Sequence, residues 1–159
     1  MSERQVVVVI GNAYRRDDGA GLAVADRLRN RMPSGVEIVS CEQEPSRLID
    51  ACEGAATALV VDAVESGAAP GTLHRFDASD LPVPERLFRS STHAFGVGEA
   101  IELARALNRL PDRVIVYGIE GAVFEAGEGL TDAVAAAVEP AAAAVLAEVS
   151  HSEGDAEHA

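Results

Sequence analysis

The chain has no tryptophan, and only two tyrosines and four phenylalanines in 159 residues. Its interior therefore cannot be organised around large aromatic side chains, and valine and alanine must fill it by close packing. Cysteine is equally scarce. Cys41 and Cys52 stand apart with no metal-type spacing, which excludes a cysteine-rich zinc module and predicts reduced, structural thiols in a cytoplasmic protein. Basic residues number 13 against 26 acidic ones, a net charge of −13. That balance argues against nucleic acid, whose phosphates need cationic partners, and against anionic membranes. Most of it reads as solubility. No apolar run approaches the roughly 18–20 residues of a membrane span. The opening Met1-Ser2-Glu3-Arg4-Gln5 leads straight into an apolar strand, so no signal peptide is expected. The length fits a single domain over residues 1–150, followed by an acidic tail at 151–159 expected to be disordered.

What is present begins with Val6-Val-Val-Val-Ile10-Gly11-Asn12-Ala-Tyr-Arg-Arg16-Asp17-Asp18-Gly19-Ala-Gly21. A β-branched run stops at Gly-Asn, crosses a short polar loop and meets two adjacent carboxylates where an Ala/Leu-rich helical pattern starts. The helix is expected over Gly21–Arg31 and ends at Met32-Pro33-Ser34-Gly35. Val36–Cys41 reads as a strand and Pro45–Cys52 as a short helix with Ser46 as its cap. Ala58–Val64 is a continuous apolar run, the mark of a strand buried on both faces, and Asp62 interrupts it. Thr72–Asp77 alternates like a half-exposed strand. It follows its predecessor without an intervening helix, as an antiparallel edge strand would. Ala78–Arg89 is a long connection without a clear period. Gly96–Leu107 is an amphipathic helix, Arg113–Gly121 a fifth strand, and Leu130–Val149 a helix capped by Thr131 or Asp132. Strands alternating with helices predict an α/β fold: a three-layer α/β/α sandwich with a mostly parallel five-stranded sheet.

Asp18, Asp62 and His93 each fall at the carboxyl end of a strand or the start of a helix. In a parallel sheet those ends share one edge, where ligands bind. Two carboxylates and an imidazole suit a divalent transition metal such as Zn2+ or Ni2+ better than Ca2+ or Mg2+. Each residue also has a plainer reading. Asp18 fits a helix cap that complements the dipole, and His93 a capping or surface histidine. Asp62 is harder to dismiss, because a buried charge is costly unless paired or metal-bound. Adjacent side chains on a helix start diverge, so only one of Asp17 and Asp18 is expected to face the site. His74 reads as a surface histidine, His151 and His158 as part of the tail, and Glu120 as either a member of the same edge or a strand-end turn residue. Gly19-Ala-Gly21 lies too far past the strand for a dinucleotide fingerprint. Ser90 and Ser91 near His93 lack the context of a serine-hydrolase elbow.

Taken in order, Gly11-Asn12, Arg15-Arg16-Asp17-Asp18-Gly19 with Gly21, Val60-Val61-Asp62-Ala63, Ser91-Thr92-His93 with Phe95-Gly96, and Tyr117-Gly118-Ile119-Glu120-Gly121 resemble the hydrogenase maturation protease family. The resemblance runs from about Val6 to Val149. It implies a cytoplasmic endopeptidase whose partner is the large-subunit precursor of a nickel–iron hydrogenase. Such enzymes remove a short C-terminal extension once nickel has been inserted. The family's metal-contacting acid, strand-end aspartate and histidine map onto Asp18, Asp62 and His93. Nickel is then the implied metal, held by the substrate rather than by a resident site, and the chain is expected to act as a monomer without an organic cofactor.

Three roles for the triad fit these residues. It can recognise nickel already held by the precursor, use that metal as a Lewis acid, or supply Asp18 or Asp62 as a general base in the manner of an aspartyl protease. Recognition is preferred, since three ligands without a thiolate should hold free metal weakly. Two other classes stay open: a non-proteolytic factor for metal-centre assembly, and a small-molecule metallohydrolase. The last predicts an enclosed pocket, whereas a protease for a protein tail needs an open groove, with Ala78–Arg89 as its candidate wall.

Overall fold

Valine dominates the two central strands because both of their faces are covered. The computed structural model describes residues 4–42, 44, 46–84 and 96–158, with side chains through 149. Its elements are β1 (Gln5–Gly11), a 3-10 helix (Arg16–Gly19), α1 (Ala20–Leu28), β2 (Val36–Glu42), α2 (Arg47–Ala51), β3 (Thr57–Val64), β4 (Leu73–Asp77), α3 (Val97–Ala106), β5 (Arg113–Glu120) and α4 (Asp132–His158). The sheet order is β2-β1-β3-β5-β4. β1, β2, β3 and β5 run parallel, and β4 closes one edge antiparallel to β5. This is the predicted three-layer α/β/α arrangement.

Alternation along each strand splits the interior into two cores. Val7, Val9, Leu59, Val61, Ile115, Tyr117 and Ile119 pack under α1 and α4. Val6, Val8, Ile10, Val60, Val64, Val114 and Val116 pack under α2 and α3, together with both free cysteines. Each fully buried aliphatic side chain contributes about 1.5–3 kcal/mol. Small residues let the layers approach closely. A Cβ on Gly21 would lie 2.7 Å from the Ile10 carbonyl oxygen and 2.9 Å from that of Val61, so the first turn of α1 rests directly on β1 and β3.

Some boundaries differ from the sequence reading. α1 begins after a separate 3-10 turn and stops at Leu28. Ser46 makes no capping hydrogen bond with its side chain. α4 does not end near Val149 but runs to His158, through the segment expected as a disordered tail. An established helix propagates cheaply into residues that could not nucleate one.

α4 also carries a buried acid within its apolar face. Glu148, 8% exposed, accepts the Tyr117 hydroxyl at 2.6 Å and Arg75 Nε at 2.9 Å, and pairs with Arg113. Burial raises its pKa, but the hydrogen bonds from Arg75, Tyr117 and Arg113 outweigh this and hold it at about 2. The folded pKa lies below the ordinary 4.5, so this stability is fully present above pH 4.5 and is lost as pH falls toward 2. Glu148→Gln should therefore be less stable than the parent at pH 7, by at most about 3 kcal/mol. In urea melts at stepped pH the gap should close between pH 4.5 and 2, and a gap independent of pH would contradict this account.

Candidate functional site at the carboxyl edge of the sheet

The chain leaves β1 toward β2 on one side and returns through α2 to β3 on the other. The carboxyl ends of β1 and β3 thus flank the topological switch point, the place where open α/β sheets generally bind ligands in a crevice between the covering helices. β1 ends at Gly11, whose φ is +157°. A Cβ there would sit 2.2 Å from the Asp18 carbonyl oxygen, so a side chain is excluded. The loop beyond folds back on itself. The Asn12 side chain accepts the Tyr14 N–H at 2.9 Å, an Asx turn. Asp18 N–H donates to the Arg15 carbonyl at 3.0 Å, and the Asp18 carbonyl accepts the Asn12 N–H at 3.2 Å.

The two adjacent acids go separate ways. Asp17 is fully buried. Its carboxylate accepts the N–H groups of Ala122 (2.8 Å), Val123 (3.0 Å) and Thr131 (2.8 Å), and the Thr131 hydroxyl at 2.9 Å. Burial raises its pKa, but these hydrogen bonds prevail and leave it lowered. Asp18 sits in the 3-10 turn that packs against β3, and its charge acts on Asp62.

Asp62 is 8% exposed, on the β3 face shared with Val60 and Val64, and it accepts the N–H of Ala63 at 2.8 Å. Burial pushes its pKa well above the usual carboxylate range, and the facing Asp18 charge pushes it further. Two carboxylates approaching at a poorly solvated edge form a site that a cation would relieve. Two oxygen donors fit a divalent ion, and an imidazole would complete the set. His93, the predicted source of that imidazole, lies outside the described residues, as do Ser90 and Ser91. Among the described residues, no cluster of three His, Cys, Asp or Glu side chains is arranged to hold a metal.

Other expectations resolve differently. His74 is not a free surface histidine but half-buried, with Nε2 2.9 Å from Glu120 Oε1. Its strand packs by its Glu120 neighbour, a relation that alternation alone does not reveal. Glu120 is 1% exposed and also accepts the Ser66 hydroxyl at 2.6 Å and the Ser66 N–H at 2.8 Å. Glu120 thereby holds the β3–β4 loop rather than facing Asp18. Thr131, expected only as a helix cap, also meets Asp17, and the sequence reading did not single out Gly127 and Gly129, whose carbonyls accept from Arg16. The Gly-x-Gly spacing just before a helix was their available signal.

Because Asp62 has a raised pKa, folding disfavours its charged form. The native state loses stability as pH rises from the ordinary value of 3.8 through the elevated one. Asp62→Asn keeps the bond to Ala63 and removes the buried charge. It should melt higher than the parent at pH 7 by several degrees, with the difference vanishing below pH 4. An equal or lower melting temperature at pH 7 would refute the electrostatic account.

Comparison with known proteins agrees with this architecture. Residues 22–148 match the family model described as hydrogenase maturation protease. The chain is 31% identical to the hydrogenase expression/formation protein HupM of Azotobacter chroococcum, over 96% of this chain and 78% of that one. It is 27% identical to the hydrogenase 2 maturation protease of Escherichia coli, over 94% and 92%. The solved structure of the hydrogenase maturating endopeptidase HybD from E. coli superposes with a TM-score of 0.82 at 27% identity, covering 94% of this chain and 93% of that one. The chain belongs to the hydrogenase maturation protease family.

Proposed function

We propose that this protease removes the C-terminal extension of a nickel–iron hydrogenase large-subunit precursor after nickel insertion, and that Asp18, Asp62 and His93 recognise the inserted nickel. The observation that carries this reading is the approach of Asp18 and Asp62 at the switch-point crevice, in a chain of this family. Burial and the Asp18 charge both disfavour the ionised form of Asp62, so a cation brought by the substrate would gain Coulomb attraction to both carboxylates. His93 would add a borderline nitrogen donor, which favours nickel over magnesium or calcium. The metal belongs to the substrate, and its presence signals that the precursor is ready to be cut.

The roles divide accordingly. Asp18 and Asp62 anchor the metal centre, and the precursor tail beyond it lies along the carboxyl edge of the sheet. Hydrolysis adds water across the scissile amide: the carbonyl carbon gains hydroxyl and the leaving nitrogen gains a proton. With thiolates absent from the triad, the protein holds free nickel weakly and acts in the cytoplasm as a monomer without an organic cofactor. No helix among the described residues is long and apolar enough to cross a membrane.

Purified chain should carry well under one nickel per molecule, yet shorten nickel-loaded precursor while leaving metal-free precursor intact. Intact-mass spectrometry of the large subunit reads the difference directly. His93→Ala should reduce processing by at least about 100-fold with a native circular dichroism spectrum. Equal cleavage of metal-free and nickel-loaded precursor would eliminate nickel recognition.

A further inference from the structure

The turn that presents Asp18 is not self-supporting. Arg16 has φ +47°, a left-handed conformation that a bulky residue keeps only where its surroundings over-determine it. Beyond the turn's own hydrogen bonds, the loop between β5 and α4 supplies such support. The Arg16 N–H donates to the Gly127 carbonyl at 3.0 Å, and the Asp17 N–H to the Val123 carbonyl at 2.9 Å. The Gly127 N–H donates back to the Tyr14 carbonyl at 2.9 Å, and Arg16 Nε reaches the Gly129 carbonyl at 2.7 Å. Asp17 is the buried centre of this contact, its carboxylate gripping Ala122, Val123 and Thr131. The fit is tight. A Cβ on Gly121 would stand 2.5 Å from Phe124 Cζ and 3.1 Å from Asp17 Cβ.

We propose that Asp17 and Thr131 are positioning residues for the protease reaction: they clamp the strained turn onto the 122–131 loop and so hold the Asp18 carboxylate opposite Asp62. This rests on the reading of Asp18 as a site residue. Neither residue touches the reacting atoms. Asp17 has no freedom to do so, since all its hydrogen-bonding capacity points away from the crevice toward the loop. The loop sets a coordinate for Asp18 that the turn alone would not keep, and a misplacement of about 1 Å can cost 100-fold in rate. Supporting residues of this kind are worth about 10- to 100-fold in metal affinity or activity.

The test compares the full-length parent with Thr131→Val, Thr131→Ser, Asp17→Asn and Asp18→Ala. Three quantities are read: kcat and KM on nickel-loaded precursor, affinity of the isolated chain for Cd2+ by calorimetry, and melting temperature. Thr131→Val removes only the hydroxyl and keeps the backbone donor, so it should fold. Its kcat should fall about tenfold, with KM within twofold and Cd2+ affinity reduced by a similar factor. Thr131→Ser should restore both, a rescue that loss of packing alone would not produce. Asp17→Asn, which turns an amide N–H2 toward backbone donors, should lose about 100-fold in both. The proposal is overturned if Thr131→Val keeps kcat and Cd2+ affinity within twofold of the parent while Asp18→Ala loses both. If Asp18→Ala itself retains both, the site assignment has failed, and the positioning role falls with it.

Discussion

A carboxylate buried within the field of a second negative charge is unfavourable, and the carboxyl edge of this sheet sustains that arrangement at Asp62. Asp62 interrupts a strand that is otherwise apolar from Ala58 to Val64, and it lies in the field of the Asp18 charge from the turn after β1. Neither residue could hold this position on an isolated element. β1 and β3 are adjacent in the sheet, so their carboxyl ends open on the same crevice. Burial then makes the pair electrostatically sensitive, because charges interact more strongly where water is excluded. The fold stores this local cost against the much larger favourable burial of its two valine-rich cores.

Close packing by small side chains is the second constraint, and it serves the first. Gly11 lets β1 end against the Asp18 carbonyl, and Gly21 lets α1 settle on the strand backbones. The helix is thereby pressed onto the sheet at the point where the acidic turn emerges.

Polar residues away from the crevice are used mainly to tie loops and layers together. Glu120 collects Ser66 and His74 at one end of the sheet, while Glu148 collects Arg75, Arg113 and Tyr117. Both acids are buried and multiply hydrogen-bonded, as burial of a charge requires. Asp17 follows the same rule. The buried acids among the described residues therefore divide by partner: Asp17, Glu120 and Glu148 are each met by several donors and brace the fold, whereas Asp62 accepts the Ala63 N–H and lies in the field of Asp18.

The amino-acid sequence by itself determined the layered α/β class and the core strands. An apolar run such as Ala58–Val64 has few alternatives once strands and helices alternate. It also singled out Asp62, because a charge at the end of such a run is anomalous in any fold. The family resemblance singled out Asp18, but only the tertiary structure shows what Asp17 does instead: it meets the donors of the 122–131 loop. Their neighbours in sequence are nearly the same, and what separates them is the loop at 122–131, more than a hundred residues away. The same holds for His74, whose half-buried place depends on pairing with β5 and on Glu120 beneath it. Local pattern records which face of an element is buried; it does not record which distant donor will meet a given carboxylate, and that meeting assigns each acid its work.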